Sequence, residues 1–300
     1  MKIYDCFTFF NELDLLEMRF NILNEYVDYF VLVEATKTFS GKPKELYYLK
    51  NKEKFNKFSH KIIHVIVGDM PEIKDNNRWE LESFQRNAII RGLTNCQPDD
   101  VILISDVDEI PDPEKFELMK DILLKRNTHR FSNFLKKFFK NCFFTSKNKF
   151  LKKISEISFS YFLVTFKTML FYYYLNGYIN SNWLGTSAVL YRNLVEIFDS
   201  KPQLIREISR SRFRLNIIKG GWHFSYLGTP ESISLKIKSF AHSEYENKYF
   251  TDVELIRKRI EKGKDIVERR GIKVKYIPID NRWPKFILEN LDKYRKFIKK

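Results

Sequence analysis

The first 110 residues alternate short apolar runs with segments of helical periodicity. The apolar runs are Ile3–Phe9, Tyr29–Glu34, Ile62–Val67 and Val101–Ser105. In Glu12–Leu23 and Arg78–Leu93, apolar residues recur at the three- and four-residue spacing of a helix face. Strands that alternate with helices in this way predict an α/β fold whose mainly parallel sheet is covered by helices on both faces.

The second half of the chain lacks this alternation. Candidate strands lie near residues 172–174, 186–191 and 221–226, and candidate helices span 231–240 and 252–268. The most apolar stretch, Phe159–Leu175, contains Lys167 and is short for a bilayer crossing. We interpret it as a buried strand or an interfacial segment, and not as a transmembrane helix.

The formal net charge of +15 indicates affinity for a polyanion such as nucleic acid, an anionic membrane surface or a phosphate-bearing substrate. Much of the charge lies in Lys125–Lys153, which contains no acidic residue and is interleaved with phenylalanines. Two interpretations of this segment stay open. It is either a peripheral contact with an anionic membrane, or an insertion whose phenylalanines pack on the domain while its lysines face water.

Cysteine usage and the N-terminus bear on the compartment. Cys6, Cys96 and Cys142 form no CxxC pair, which argues against a zinc knuckle or a disulfide framework and favours a reducing environment. The chain enters a predicted strand directly, without the charged and then apolar regions of a signal peptide. The sequence therefore predicts a cytoplasmic protein, with membrane association at the inner face as the further hypothesis.

The most informative segment is the acidic end of the fourth apolar run. Asp106 and Asp108 follow Val101–Ser105 and are separated by one residue, with Glu109 next in the chain. Open α/β sheets bind ligands at the carboxyl ends of their strands. Two carboxylates there can face one Mg²⁺ or Mn²⁺, which can bridge a diphosphate leaving group. The alternative is that the loop is acidic only for solubility.

The helix before that strand carries Gln85-Arg86-Asn87. Arg86 is predicted either to contact a phosphate or order the acidic loop, or to form a surface pair with Glu82 one turn away. Spacing alone does not choose between these alternatives.

Two histidines in the second half are further candidates. His223 follows Gly220-Gly221 on a short apolar strand and is either a third metal ligand or a satisfied core histidine. His242 and Glu244 form a polar pair near a helix end, where a solvated helix terminus is the alternative.

Several blocks together resemble glycosyltransferase family 17 and occur in order from about residue 3 to about residue 265. They are Tyr4–Phe7, Phe10–Glu17, Glu34–Thr36, Phe39–Lys44, Phe84–Asn87, Ser105–Pro111 and Gly221–Ser225. The resemblance implies a GT-A-type, Rossmann-like fold, a UDP-sugar donor (UDP-N-acetylglucosamine) and inversion at the anomeric carbon. The organisation of the chain itself predicts one domain over residues 1–300, with a basic insertion at about 125–165, which has no counterpart in the family pattern, and a basic C-terminal tail at about 286–300.

On this basis we assign provisional roles at the metal and the donor. Asp106 and Asp108 hold a divalent metal, Mn²⁺ or Mg²⁺, with Asp108 favoured for direct ligation and His223 as third ligand. Asp106 also faces the nucleotide-sugar, together with Arg86 and Asn87.

The remaining assignments concern the nucleoside, the base and the acceptor. Glu34 ends a strand on the same edge and is expected to contact the nucleoside. The general base is Glu244 or Glu109, with a preference for Glu244 because Glu109 can be engaged in holding the metal loop. The expected acceptor is a glycan or a lipid-linked glycan, and nucleic acid is not expected as a partner. The competing hypothesis is a non-catalytic protein that binds a polyanion or a membrane surface.

Overall fold

The computed structural model describes residues 1–73, 77–128, 161–210, 216–269 and 271–299. Most of the predicted basic insertion, residues 129–160, lies outside the described residues. Within the described ranges, every helix is too short or too polar to span a lipid bilayer.

The N-terminal half forms the predicted parallel unit. Its strands are β1 (Ile3–Phe9), β2 (Tyr29–Ala35), β3 (Ile62–Val67) and β4 (Val101–Asp106). They lie in the order β3-β2-β1-β4 and all three pairings are parallel. The connecting helices are α1 (Leu13–Leu23), α2 (Tyr47–Asn51) with the 3-10 helix Lys52–Lys61, and α3 (Arg78–Asn87) with the 3-10 helix Ala88–Gly92. The strands and helices predicted in this half are confirmed.

The C-terminal half makes the sheet mixed. Its strands are β5 (Glu109–Pro111), β6 (Val164–Tyr172), β7 (Gly177–Leu190), β8 (Ile217–Ser225) and β9 (Lys275–Tyr276). The described strands follow the order β3-β2-β1-β4-β7-β6-β8-β5, with β9 beside β7. β7 is antiparallel to both β4 and β6, whereas β6 and β8 are parallel.

The prediction of a mainly parallel sheet is therefore wrong for this half. Only residues 173–176 connect β6 to β7. A parallel crossover needs a dozen or more residues, so these two strands can pair only as a hairpin. The apolar stretch that includes β6 is a buried strand, as one of the two predicted alternatives stated.

The remaining helices of the described residues pack around the sheet. They are α4 (Phe116–Thr128), α5 (Tyr191–Glu196), α6 (Pro202–Ser209), α7 (Pro230–Ser239), α8 (Lys248–Thr251), α9 (Val253–Glu261) and α10 (Lys285–Glu289), with 3-10 helices at Pro113–Lys115, Ser243–Tyr245 and Arg295–Phe297. Helix α9 ends well before residue 268, where the sequence placed its end, because Gly263 takes a left-handed conformation with φ +60°.

The core lies on both faces of the sheet. Along β1, Phe7 belongs to one apolar cluster and Cys6 to the other, as the two-residue repeat of a strand requires. The first cluster extends to Tyr294 and Phe297, and Lys293 forms an ion pair with Glu17 on α1. The described part of the predicted basic tail is thus packed against the domain.

Candidate active site

The acidic loop lies between two strands that fix it from both sides. β4 delivers Asp106 beside Thr8, at the carboxyl end of β1. After Val107 and Asp108 the chain enters β5, where Glu109 pairs with His223 on β8. The backbone N–H of Phe224 donates to the Asp108 carbonyl at 3.0 Å. The sheet therefore brings His223 to the acidic loop across more than one hundred residues of sequence.

Gly221 allows the two strands to approach. It has φ +115°, and a Cβ at this position would lie 2.6 Å from the Ile110 carbonyl oxygen. A larger residue there would push β8 away from β5 and would move His223 with it.

Asp108 and His223 face each other inside the site. Nε2 of His223 lies 3.5 Å from Oδ1 of Asp108, and Nζ of Lys236 lies 3.1 Å from Oδ2. Both Asp108 and His223 are buried. Burial raises the pKa of Asp108, but the Lys236 ammonium and His223 outweigh it and hold that pKa well below its usual range. Nδ1 of His223 is buried and has no hydrogen-bond partner among the described residues.

Lys236 is a site residue that the sequence did not indicate. It lies on α7 and bridges Asp108 to Glu12, whose Oε1 is 2.9 Å from its Nζ. Burial lowers the pKa of Lys236, yet the two carboxylates raise it above its usual range. The lysine is therefore charged at neutral pH and neutralises two acids at once.

Asp106 contacts cations on both of its oxygens. Arg86 donates to Oδ1 at 2.8 Å and Arg206, on α6, donates to Oδ2. Burial raises the pKa of Asp106, whereas the two guanidiniums lower it by more. Arg86 also donates to Glu82 at 2.9 Å. Arg86 thus bonds to the loop and also pairs with Glu82, but its guanidinium is buried and not at the surface. Its contact with a phosphate stays a prediction.

Glu109 is fully buried and is bonded on both oxygens. Trp183 Nε1 donates to Oε1 at 2.7 Å, Arg206 donates to both oxygens, and Arg210 reaches Oε1 at 3.3 Å. Burial raises the pKa of Glu109 and Arg206 lowers it, with a net decrease. This geometry suits a residue that holds the loop, and the carboxylate is not part of the cleft lining.

A buried arginine anchors the loop backbone from below. Arg19, on α1, is bonded to both oxygens of Asp5 at 2.7 and 2.6 Å and to Ser105 Oγ at 2.7 Å. Its Nη1 points at the carbonyl oxygens of Asp106, Val107 and Glu109, at 3.0 to 3.2 Å. The sequence signal was present, because the apolar residues three and four positions away from Arg19 put it on the apolar face of α1, namely Leu15, Leu16, Ile22 and Leu23.

The loop opens into a cleft of about 300 Å³. Its cationic lining residues are Lys37, Lys44, Arg86, Arg210, Lys236 and Arg269. Aromatic side chains form much of the rest, namely Phe9, Phe10, Phe39, Trp79, Tyr172, Trp183, Tyr226 and Phe240. Arg210 lies over the Trp183 ring, 5.2 Å from its centroid. Cations combined with flat apolar surfaces suit a ligand with phosphate and ring moieties.

Three further predicted site residues, Glu34, Asn87 and Glu244, lie outside the cleft lining. Glu34 is fully buried and accepts from the Tyr48 backbone N–H at 3.1 Å, with Lys44 at 3.8 Å. It therefore supports a cleft-lining lysine. The Oδ1 of Asn87 accepts from the Gln203 backbone N–H at 3.0 Å, which ties α3 to the start of α6. Glu244 lies at the cleft rim, where it accepts from His242 at 2.7 Å.

The described part of the site thus defines a class of protein. Acids on a strand-end loop, a converging histidine and a cationic cleft are suited to an enzyme that acts on a phosphate-linked substrate. The model of glycosyltransferase family 17 matches residues 1–154, which is about half of the chain. The chain belongs to glycosyltransferase family 17, and the predicted family is confirmed.

Curated relatives agree with the family assignment. The chain is 25% identical to the beta-1,4-mannosyl-glycoprotein 4-beta-N-acetylglucosaminyltransferase of Rattus norvegicus in an alignment that is 304 residues long with its gaps. The alignment covers 96% of this chain and 53% of the relative. The Mus musculus protein of the same name gives the same identity and coverage. The Homo sapiens protein of that name is 33% identical over 107 residues, covering 34% of this chain and 20% of the relative. The chain spans about half the length of the rat and mouse relatives.

Proposed function

We propose that this protein is an inverting, metal-dependent transferase that moves N-acetylglucosamine from UDP-N-acetylglucosamine to a glycan or a lipid-linked glycan. The observation that carries the proposal is the convergence of Asp108 and His223 at the edge of a cation-lined cleft. The donor sugar follows the names of the curated relatives, and inversion follows the family resemblance.

The donor atoms present fit a divalent metal in part. Two ligand atoms on one ion with bonds near 2.1 Å are separated by roughly 3.0 to 3.5 Å, and the Asp108 and His223 atoms lie 3.5 Å apart. The described residues hold no group of three or more His, Cys, Asp and Glu side chains arranged for a metal. Mg²⁺ and Mn²⁺ sites of this kind commonly take their remaining ligands from substrate phosphates and water.

Asp108 and His223 are therefore the residues that would hold the ion, and a bound ion would supply charge neutralisation of the diphosphate leaving group. Asp106 takes a different part in the proposal, because both of its oxygens already accept from guanidiniums. It remains about one-third exposed to the cleft. A carboxylate fixed in this way can accept a hydrogen bond from a hydroxyl of the nucleotide-sugar, and we propose this role for Asp106.

The cations of this chain can hold the donor's negative charge. Arg210 is half-buried and presents its guanidinium to the cleft above Trp183. Arg269 is fixed by Asp265, with Nε–Oδ2 and Nη2–Oδ1 distances of 2.9 Å. Guanidiniums held in this way bind phosphate oxygens with little loss of side-chain freedom.

The test is release of UDP from a panel of UDP-sugars, with Mn²⁺, with Mg²⁺ and with EDTA. We expect UDP-N-acetylglucosamine to be turned over fastest and EDTA to remove the activity. His223→Ala should weaken Mn²⁺ binding measured by calorimetry, while His60→Ala, an exposed histidine remote in sequence, should not. Absence of binding and turnover for every UDP-sugar refutes the function. Full activity in EDTA refutes the metal dependence only and leaves the transfer of the sugar unaffected.

A further inference from the structure

An inverting transfer needs a base that faces the acceptor hydroxyl from within the cleft. The carboxylates that line the described cleft are each bonded to a cation. Arg86 holds Glu82 and Asp106, and Lys236 holds Glu12 and Asp108. Carboxylates neutralised in this way are weak proton acceptors, since the paired cation stabilises the charged form.

His242 differs from these groups in position and in partner. It lines the same cleft, beyond the end of α7, and its side chain is 43% exposed. Its Nδ1 lies 2.7 Å from Oε1 of Glu244, which lies outside the cleft lining. One ring nitrogen is therefore engaged by a carboxylate, and Nε2 has no hydrogen-bond partner among the described residues, so it is available to a ligand. A base oriented by a carboxylate is a common catalytic arrangement.

Aromatic side chains fix the plane of this imidazole. Trp79 meets it edge to face with ring centroids 4.6 Å apart, and Phe240 and Tyr245 lie at 5.3 and 5.6 Å. Trp79 is 47% exposed at the N-terminus of α3. An indole exposed at the mouth of a cleft offers a flat apolar surface on which a sugar ring can rest. The acceptor would then lie against the histidine.

The charged groups around the imidazole come from three elements. Glu244 contacts it directly. Glu246, farther along the same segment, is neutralised by Arg78 of α3 and by Lys42 of the loop after β2. Glu244 is therefore the carboxylate that contacts His242 and orients its ring.

We propose that His242 is the general base of this enzyme and that Glu244 is its positioning residue. This inference rests on the proposed function. Nε2 accepts the proton of the acceptor hydroxyl while the acceptor oxygen forms a bond to C1 of the donor sugar. The bond between C1 and the diphosphate oxygen breaks, and its electron pair leaves on the diphosphate. The Glu244 carboxylate stabilises the imidazolium that results.

The experiment follows UDP release from UDP-N-acetylglucosamine with water as the acceptor, across pH, for His242→Gln and Glu244→Gln. We expect His242→Gln to lower kcat by about 10²- to 10⁴-fold, as loss of a general base does, with UDP affinity unchanged. Glu244→Gln should lower kcat about tenfold and keep the ascending limb of the pH profile. His242→Gln should lose that limb, which separates the base from a residue that only positions it.

His60→Gln is the matched control and should behave as the wild type. Near-normal turnover by His242→Gln overturns the proposal, as does an inactive Glu244→Gln beside an active His242→Gln, which would make Glu244 the base. Failure of the wild-type protein to bind UDP or release it from any UDP-sugar is a failure of the proposed function instead.

Discussion

Replacement of the buried arginine beneath the acidic loop tests how the site is held. Arg19→Met removes a guanidinium that is fully buried, and the methionine can occupy part of its volume on the apolar face of α1. The change leaves the Asp5 carboxylate buried and without its cation. It also removes the donor that faces three loop carbonyls, including that of Val107.

The magnitude follows from these contacts. Breaking one side of a buried ion pair costs about 3–5 kcal/mol, because the remaining charge is uncompensated. Each buried carbonyl that loses its donor adds up to about 1 kcal/mol, and these losses are not additive. We expect Arg19→Met to lower the free energy of unfolding by about 4 kcal/mol or more. With a denaturant dependence of about 3 kcal/mol per molar urea, the midpoint moves down by more than about 1 M.

The assay is urea unfolding followed by circular dichroism. The matched control is Arg257→Met, since Arg257 also pairs with a carboxylate, Glu231 at 3.3 Å, but both of these side chains are about half exposed. Exposed pairs contribute about 1 kcal/mol or less. The double variant Asp5→Leu with Arg19→Met should recover part of the loss, because it removes the orphaned charge. An Arg19→Met midpoint no lower than that of Arg257→Met refutes the reasoning.

Three further predictions concern the acidic loop and the basic segment. Asp108→Asn should keep the fold but lose at least about 10²-fold in turnover with Mn²⁺, and near-normal UDP release by this variant contradicts its assignment. The pKa values of Asp106, Asp108 and Glu109 are lowered in the folded state, so their stabilisation is present above about pH 4 and is lost as pH falls further. Acid unfolding should therefore shift toward neutral pH when the site cations are removed, as in Arg206→Met, and an unchanged midpoint contradicts this. For Lys125–Lys153 we propose contact with an anionic membrane surface, at about 1 kcal/mol per engaged cation; the protein should float with anionic but not neutral vesicles at low salt, and equal flotation after deletion of the segment places the contact elsewhere.

The sequence by itself determined the elements of the N-terminal half. Apolar runs such as Val101–Ser105 are buried on both faces, as strands are in a sheet that helices cover on both sides. The same run positioned Asp106 and Asp108 at the carboxyl edge, because the end of a strand is a local property of the chain. The motifs of glycosyltransferase family 17 could also be recognised in the sequence, since they are local patterns in a fixed order.

Whether the later strands run parallel or antiparallel depends on the lengths of their connections, which the hydrophobic periodicity of the strands does not reveal. A run of apolar residues looks the same in a parallel and an antiparallel pairing. The four residues between β6 and β7 decided the matter, since they permit only a hairpin. The sheet is mixed for that reason.

The partner of each acid was decided by tertiary structure alone. Asp106 meets Arg206, and Asp108 meets Lys236, at separations of 100 and 128 residues. No local pattern connects positions so far apart, and a helix presents the same apolar repeat whether its cation is buried or solvated. The pairing of β5 with β8 likewise placed His223 at the loop. The sequence thus identified the acidic residues and His223 as candidates. The fold determined which of them face the cleft, because burial and charge pairing depend on contacts between distant segments.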